Sequence, residues 1–157
     1  LIETSRAIET VTQIAAFKDV VGLFFGAADA SASLGCKLAW EPLLYARQRV
    51  VLAASMFNLF TIDAPYFYID KMAGLKEEAE KVKNLGFTGK AAIHPDQIDH
   101  INEAFSPSAE EKEEAKKVLE EYQKSGGGAI KVDGQMIDEP IAEAMRLKIT
   151  LGEEEKD

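Results

Sequence analysis

Only one cysteine, Cys36, occurs in the 157 residues, so no internal disulfide can form. A secreted fold of this size would be expected to carry a framework of disulfides, and a reducing, cytoplasmic setting is therefore expected. Long apolar runs are missing as well: none approaches the roughly 18 residues of a membrane span. The opening residues lack the basic-then-apolar profile of a signal peptide. A soluble protein without a membrane partner is the expectation. Positive charge is also scarce, with 18 Lys and Arg against 27 Asp and Glu and a net charge of −9. Binding nucleic-acid phosphates needs clustered cations that release counterions, so nucleic acid is not an expected partner. What is plentiful is core material. At 46% hydrophobic and 8% aromatic residues, the composition is that of a folded domain.

Along the chain, short apolar runs alternate with helical patterns. Leu1-Ile2-Glu3-Thr4 reads as the end of a buried strand with nothing before it, and the sequence is expected to start inside a longer product. Residues 5–18 place Ala7, Ile8, Val11, Ile14, Ala15 and Phe17 at near-helical spacing behind a Thr4 or Ser5 cap. Val20 to Phe25 predicts a strand buried on both faces and ending at Gly26. Pro42 fits the first turn of a helix through Ala54, and Leu59 to Ile62 a third strand. A helix over 74–85, stopped by Gly86, precedes a fourth strand at Lys90 to Ile93. Such alternation predicts βα units around a parallel sheet over residues 1–105. From 106 onward the character changes to a second domain. Ser108 and Glu111 form a capping-box signature for a charged helix to about Lys124, and Asp133-Gly134 marks a hairpin turn. A closing helix covers 137–151, and the acidic residues 153–157 read as a frayed tail.

In such folds ligands bind beyond the carboxyl ends of the strands, so position informs more than residue type. The strand ends here carry Glu3, Asp29, Asp63 and His94. Three acids on one rim repel each other unless a cation or hydrogen-bond donors compensate them. Mg²⁺ answers this economically, because it takes one or two protein carboxylates and keeps its other positions for water and substrate. Each acid can equally be a helix cap or loop residue. Arg47 and Arg49 lie inside a helix and read as surface pairing. Trp40, Phe24, Phe25 and Phe60 read as packing, and Cys36, without an activating cluster, as inert.

Four segments in order carry a family resemblance: Leu1-Ile2-Glu3-Thr4, Gly26-Ala27-Ala28-Asp29, Gly89 to Gln97 with His94-Pro95, and Asp133 to Asp138. Together they resemble the citrate lyase beta subunit and malyl-CoA lyase group of the HpcH/HpaI aldolase superfamily. The resemblance implies a TIM (β/α)8 barrel, of which this chain holds the last four βα units and a C-terminal helix-hairpin-helix extension that acts as a lid. It implies an Mg²⁺-dependent carbon–carbon lyase acting on a β-hydroxyacyl-coenzyme A thioester such as citramalyl-CoA or malyl-CoA. Glu3 and Asp29 match the metal-binding acids, with Glu3 also at the substrate. His94 and Pro95 match a loop that contacts the thioester cofactor, although His94 can equally cap the following helix. Asp138 matches a catalytic acid on the extension, which relatives send to a neighbouring subunit of a homo-oligomer; it is also a good N-cap, and both roles can coexist. Asp63 and, with less support, Asp70 sit where similar proteins have cofactor-lining loops, loop capping being the competing job.

A complete barrel needs eight strands and about 250 residues. The first half, including an arginine that grips the substrate carboxylate in relatives, is expected to come from elsewhere, and the half-chain alone to be inactive. Two alternatives stay open: the beta subunit of the citrate lyase complex acting on a citryl-acyl carrier protein, and a truncated, non-catalytic remnant.

Overall fold

Side-chain alternation along three short strands sets the layering of the first unit. In this computed structural model, which describes residues 1–126 and 128–151, β1 (Gly22–Phe24), β2 (Phe60–Asp63) and β3 (Gly89–Lys90) form a parallel sheet in the order β1-β2-β3. Gly127 and the acidic tail expected over 153–157 lie outside the described residues. Leu23 pairs with Thr61, and Ile62 with Gly89. Ile2 adds a parallel bridge to Phe25: its N–H donates to the Phe24 carbonyl at 2.7 Å, and Gly26 N–H donates to the Ile2 carbonyl at 2.9 Å. Four parallel positions therefore stand side by side in chain order.

Parallel neighbours need crossovers, and helices supply them. The helix expected over 5–18 is split into α1 (Ser5–Glu9) and α2 (Val11–Ala15). Thr10 causes the break, since its hydroxyl donates to the Arg6 carbonyl at 2.9 Å and competes for a helical acceptor. Next come α3 (Ala27–Leu34), α4 (Trp40–Ser55) and α5 (Met72–Leu85), which ends where Gly86 adopts φ +101. A 3₁₀ turn at Pro95–Gln97 leads into α6 (Ile98–Phe105).

The helix-facing side of the sheet is buried. Ile2, Leu23 and Phe25 pack there against Val11, Leu43, Val50 and Val82. The other side is open: Leu1, Phe24 and Phe60 are 66%, 37% and 49% exposed. Of the three phenylalanines expected to pack, only Phe25 is buried, because the period of two sends Phe24 and Phe60 to the opposite face. On that face small residues stand opposite large ones. Gly22 pairs with Phe60, whose ring occupies the place of the missing side chain, and a Cβ on Gly89 would lie 2.9 Å from Ile62 Cδ1. Alternation of small and large residues is how the inside of a small barrel is filled.

The chain divides into two compact units between Phe105 and Ser106. In the second, Ser108 caps α7 (Ala109–Lys124) through a reciprocal box with Glu111. A hairpin of β4 (Ile130–Val132) and β5 (Gln135–Ile137) turns at Asp133 and Gly134, both with positive φ, as a two-residue primed turn requires. It packs with α8 (Glu139–Leu151) around Val118, Leu119, Tyr122, Val132 and Ile137. Arg146 and the Tyr122 hydroxyl both donate to Glu139 and hold its carboxyl below the usual range. Among the described residues, no helix is long and apolar enough to cross a membrane.

Candidate active site

Glu3 follows the bridging Ile2, so its side chain turns to the open side of the sheet, at the carboxyl end of the strands. It lies against Gly26. A Cβ added there would come 2.7 Å from Glu3 Cβ and 3.2 Å from Glu3 Oε2. Gly26 is also the N-cap of α3, and Asp29 stands in the first turn of that helix, where exposed backbone N–H groups favour negative charge. Glu3 therefore lies against Gly26, and Asp29 follows three residues later in the helix that Gly26 caps. Among the described residues neither carboxylate has a hydrogen-bond or ion-pair partner, and no three His, Cys, Asp or Glu side chains are grouped to hold a metal ion. Two uncompensated carboxylates on one rim fit the one or two that Mg²⁺ takes from a protein.

Gly26→Ala tests this arrangement. The methyl group would push the Glu3 carboxylate aside, and Mg²⁺ affinity, measured by calorimetric titration, should fall about ten- to hundredfold. Unchanged affinity would separate Glu3 from the metal.

Asp63 is placed elsewhere than expected. It is the last residue of β2 and faces the helices, with no exposure to solvent. Arg47 Nε donates to its Oδ1 at 2.8 Å, and Lys90 Nζ to its Oδ2 at 2.9 Å. Lys90 also donates to Glu78 Oε1 and the Ala64 carbonyl, both at 2.7 Å. Asp63 therefore does not line a cofactor loop here; it anchors that loop from beneath. Arg47, expected at the surface, is 4% exposed, with its guanidinium 4.9 Å from the Trp40 ring centre and 5.2 Å from that of Phe25. The strand period and the helix period each turn one charged residue inward, and each charge is viable because it meets the other. Arg49 instead ties α4 to the Glu9 carbonyl.

His94 occupies the capping position: its Nδ1 accepts from Asp96 N–H at 3.3 Å, and Pro95 opens the turn. Gln97, to which the sequence assigned no role, is fully buried there. It accepts from Ile93 N–H at 3.0 Å and donates to the Tyr66 carbonyl at 2.9 Å, joining the loops that follow β3 and β2. Asp138, in the second unit, caps α8 through Ile141 N–H at 3.3 Å. Asp70 is exposed in the loop after β2, and Cys36 is half-buried.

Parallel βα units in chain order define a class: an α/β scaffold with acids placed after its strands. The sequence signature of the HpcH/HpaI aldolase/citrate lyase family matches residues 1–95, and the chain belongs to that family. It is 39% identical over 144 residues to the mitochondrial citramalyl-CoA lyase of Homo sapiens, covering 88% of this chain and 42% of that one. With the citrate lyase subunit beta of Haemophilus influenzae it shares 34% identity over 152 residues, 93% of this chain and 52% of the other. Among solved structures, the protein CitE of Mycobacterium tuberculosis in complex with magnesium, acetoacetate and coenzyme A superimposes with a TM-score of 0.86 at 32% identity, covering 96% of this chain and 58% of that one. The chain spans about half the length of the curated relatives it matches.

Proposed function

We propose that the chain is the C-terminal half of a (β/α)8 barrel, residues 1–105, with a lid-forming extension from 106, in an Mg²⁺-dependent carbon–carbon lyase. Its substrate is a β-hydroxyacyl-coenzyme A thioester, citramalyl-CoA or malyl-CoA. The observation that carries this reading is the placement of Glu3 against Gly26, the cap of the helix whose first turn carries Asp29, both acids without a cationic partner among the described residues. The relatives named as lyases, and the related structure holding magnesium and coenzyme A, support it. Four parallel positions with open edges are half of the eight strands a barrel needs. The remaining βα units come from further chain or a separate half-barrel, and the extension serves a neighbouring subunit of a homo-oligomer.

Cleavage of citramalyl-CoA breaks the bond between the thioester α-carbon and the hydroxyl-bearing carbon. The hydroxyl loses its proton and becomes the ketone of pyruvate. The bond electrons pass to the α-carbon, and the resulting enolate takes up a proton to give acetyl-CoA. Glu3 and Asp29 would hold Mg²⁺ at the rim, and the ion would supply Lewis acidity and charge neutralisation to the bound substrate. The His94-Pro95 loop, braced by Gln97, orients the thioester arm, and Asp138 exchanges the proton at the enolate carbon.

Identity to a citrate lyase subunit beta favours a second substrate, a citryl-acyl carrier protein. Both readings meet in one experiment: these 157 residues fused behind the N-terminal half of the human relative, with Mg²⁺ and each ester in turn. Pyruvate and acetyl-CoA from citramalyl-CoA are expected, with no turnover by the 157 residues alone. Failure on citramalyl-CoA, malyl-CoA and the carrier-bound ester alike would reject the lyase reading in favour of a non-catalytic remnant.

A further inference from the structure

Two turns enter the sheet at the amino ends of its strands, the end opposite Glu3. The first, residues 16–21, leads from α2 into β1, and the second, residues 56–59, leads from α4 into β2. They run side by side, because Gly22 pairs with Phe60 and the Val21 carbonyl accepts from Phe60 N–H at 3.3 Å. Tight turns are ordinarily built from small and polar residues, as Asn58 at φ 54 is here. Yet Phe17, Val21, Met56 and Phe57 are 69%, 69%, 60% and 39% exposed. All four precede the strands, so this patch is distinct from the open sheet face of Phe24 and Phe60. At about 200 Å² for a large side chain, the four leave roughly 450 Å² of apolar surface open. A stable interface buries about 800 Å² per partner, a little over half of it apolar. The patch has the size that one such contact requires.

Charge decides the partner. At a net charge of −9, two copies of the chain repel each other except where their surfaces are locally neutral. Residues 56–59 hold no charged side chain, and residues 16–21 hold one of each sign, Lys18 and Asp19. Both are exposed, and neither has a hydrogen-bond or ion-pair partner among the described residues. A contact about a two-fold axis sets one residue against another and the second against the first. Adjacent opposite charges therefore find their complement in a second copy, twice per dimer. We propose that this end of the sheet is a two-fold interface between copies of the chain, in which Phe17, Val21, Met56 and Phe57 pack together across the axis and Lys18 pairs with the partner's Asp19. The two sheets then meet end to end, with the carboxyl ends of their strands, where Glu3 stands, directed away from the contact. This proposal concerns self-association and stands apart from the lyase reading.

Sedimentation equilibrium of the 157-residue chain tests it. A monomer–dimer equilibrium with a dissociation constant of about micromolar order or tighter is expected. Lys18→Glu sets two pairs of like charges against each other in every dimer and should weaken association at least about tenfold. Combining Lys18→Glu with Asp19→Lys restores both pairs at unchanged net charge, and should return affinity to within about threefold of the parent. Met56→Lys places an unpaired charge in the apolar patch and should also weaken the dimer about tenfold or more. All three side chains are exposed, so circular dichroism of each variant should match the parent. A parent that stays monomeric at about 100 µM leaves the patch to a different polypeptide and overturns the proposal. A dimer indifferent to Lys18→Glu and Met56→Lys is held elsewhere, as through the open sheet face, and overturns it equally. So does a double variant that associates no more tightly than Lys18→Glu alone.

Discussion

Glu3→Gln and Asp29→Asn should each reduce Mg²⁺-dependent thioester cleavage by the completed barrel about a thousandfold, a loss of about 4 kcal/mol of transition-state stabilisation. The size follows from what each substitution removes. Glutamine and asparagine keep the shape and one carbonyl oxygen but lose the charge that attracts a hard divalent cation. The folded chain should hardly respond, because neither carboxylate makes a bond to another described residue. Thermal unfolding of the variants should therefore stay within about 0.5 kcal/mol of the parent, as for surface sites without partners. That contrast makes the test sharp: loss of activity with intact stability is the signature of a ligand set. Full turnover in both variants would dismiss the two acids as metal ligands.

The opposite contrast is expected one strand away. Asp63→Ala removes the shared partner of two buried cations, leaving Arg47 and Lys90 to repel each other with Glu78 as the remaining counter-charge. Breaking a buried ion pair from one side costs about 3–5 kcal/mol, and urea unfolding of the first unit should register a loss of that order. Asp63→Asn should lose most of it as well, since the amide fills the volume without supplying the charge. Replacing Arg47, Asp63 and Lys90 together by Met, Leu and Met should recover much of the loss, because apolar side chains of similar volume remove the desolvation penalty along with the charges. A drop below about 1 kcal/mol for Asp63→Ala would mean that water or loop movement compensates the cations.

The sequence made the layout of the first unit readable because its signals are local. Gly86 ends a helix whose apolar residues recur at helical spacing, and in the second unit the Ser108 and Glu111 pair likewise announces α7 in four residues. The helix Ala27–Leu34 was passed over, since a run of alanine and serine has little apolar periodicity. The 5–18 segment looked continuous because side-chain competition at Thr10 leaves no mark in the hydrophobic pattern. Glu3 and Asp29 could be named from their places after strands, but the approach of Glu3 to Gly26, the cap of the helix that carries Asp29, depends on the Ile2 to Phe25 bridge between segments far apart in sequence. Arg47, Asp63, Glu78 and Lys90 were misread or passed over for one reason. Each belongs to a different element, and their mutual neutralisation exists only in three dimensions. A lysine in a strand destined for burial was the available warning, because lysine is almost never fully buried unless paired. Gln97 gave no comparable sign; its worth comes from two loop backbone groups that become neighbours on folding.

The uncovered sheet face has a relief of its own, with the Phe60 ring seated over Gly22 and Ile62 reaching over Gly89. Such a surface behaves as a key rather than as grease. Any polypeptide that completes it must bring bulk where this one has hollows and leave hollows where it has bulk, so selection of a mate is written into steric code. A half from a distant cousin, equally oily but with its notches shifted by one residue, should associate yet fail to seat.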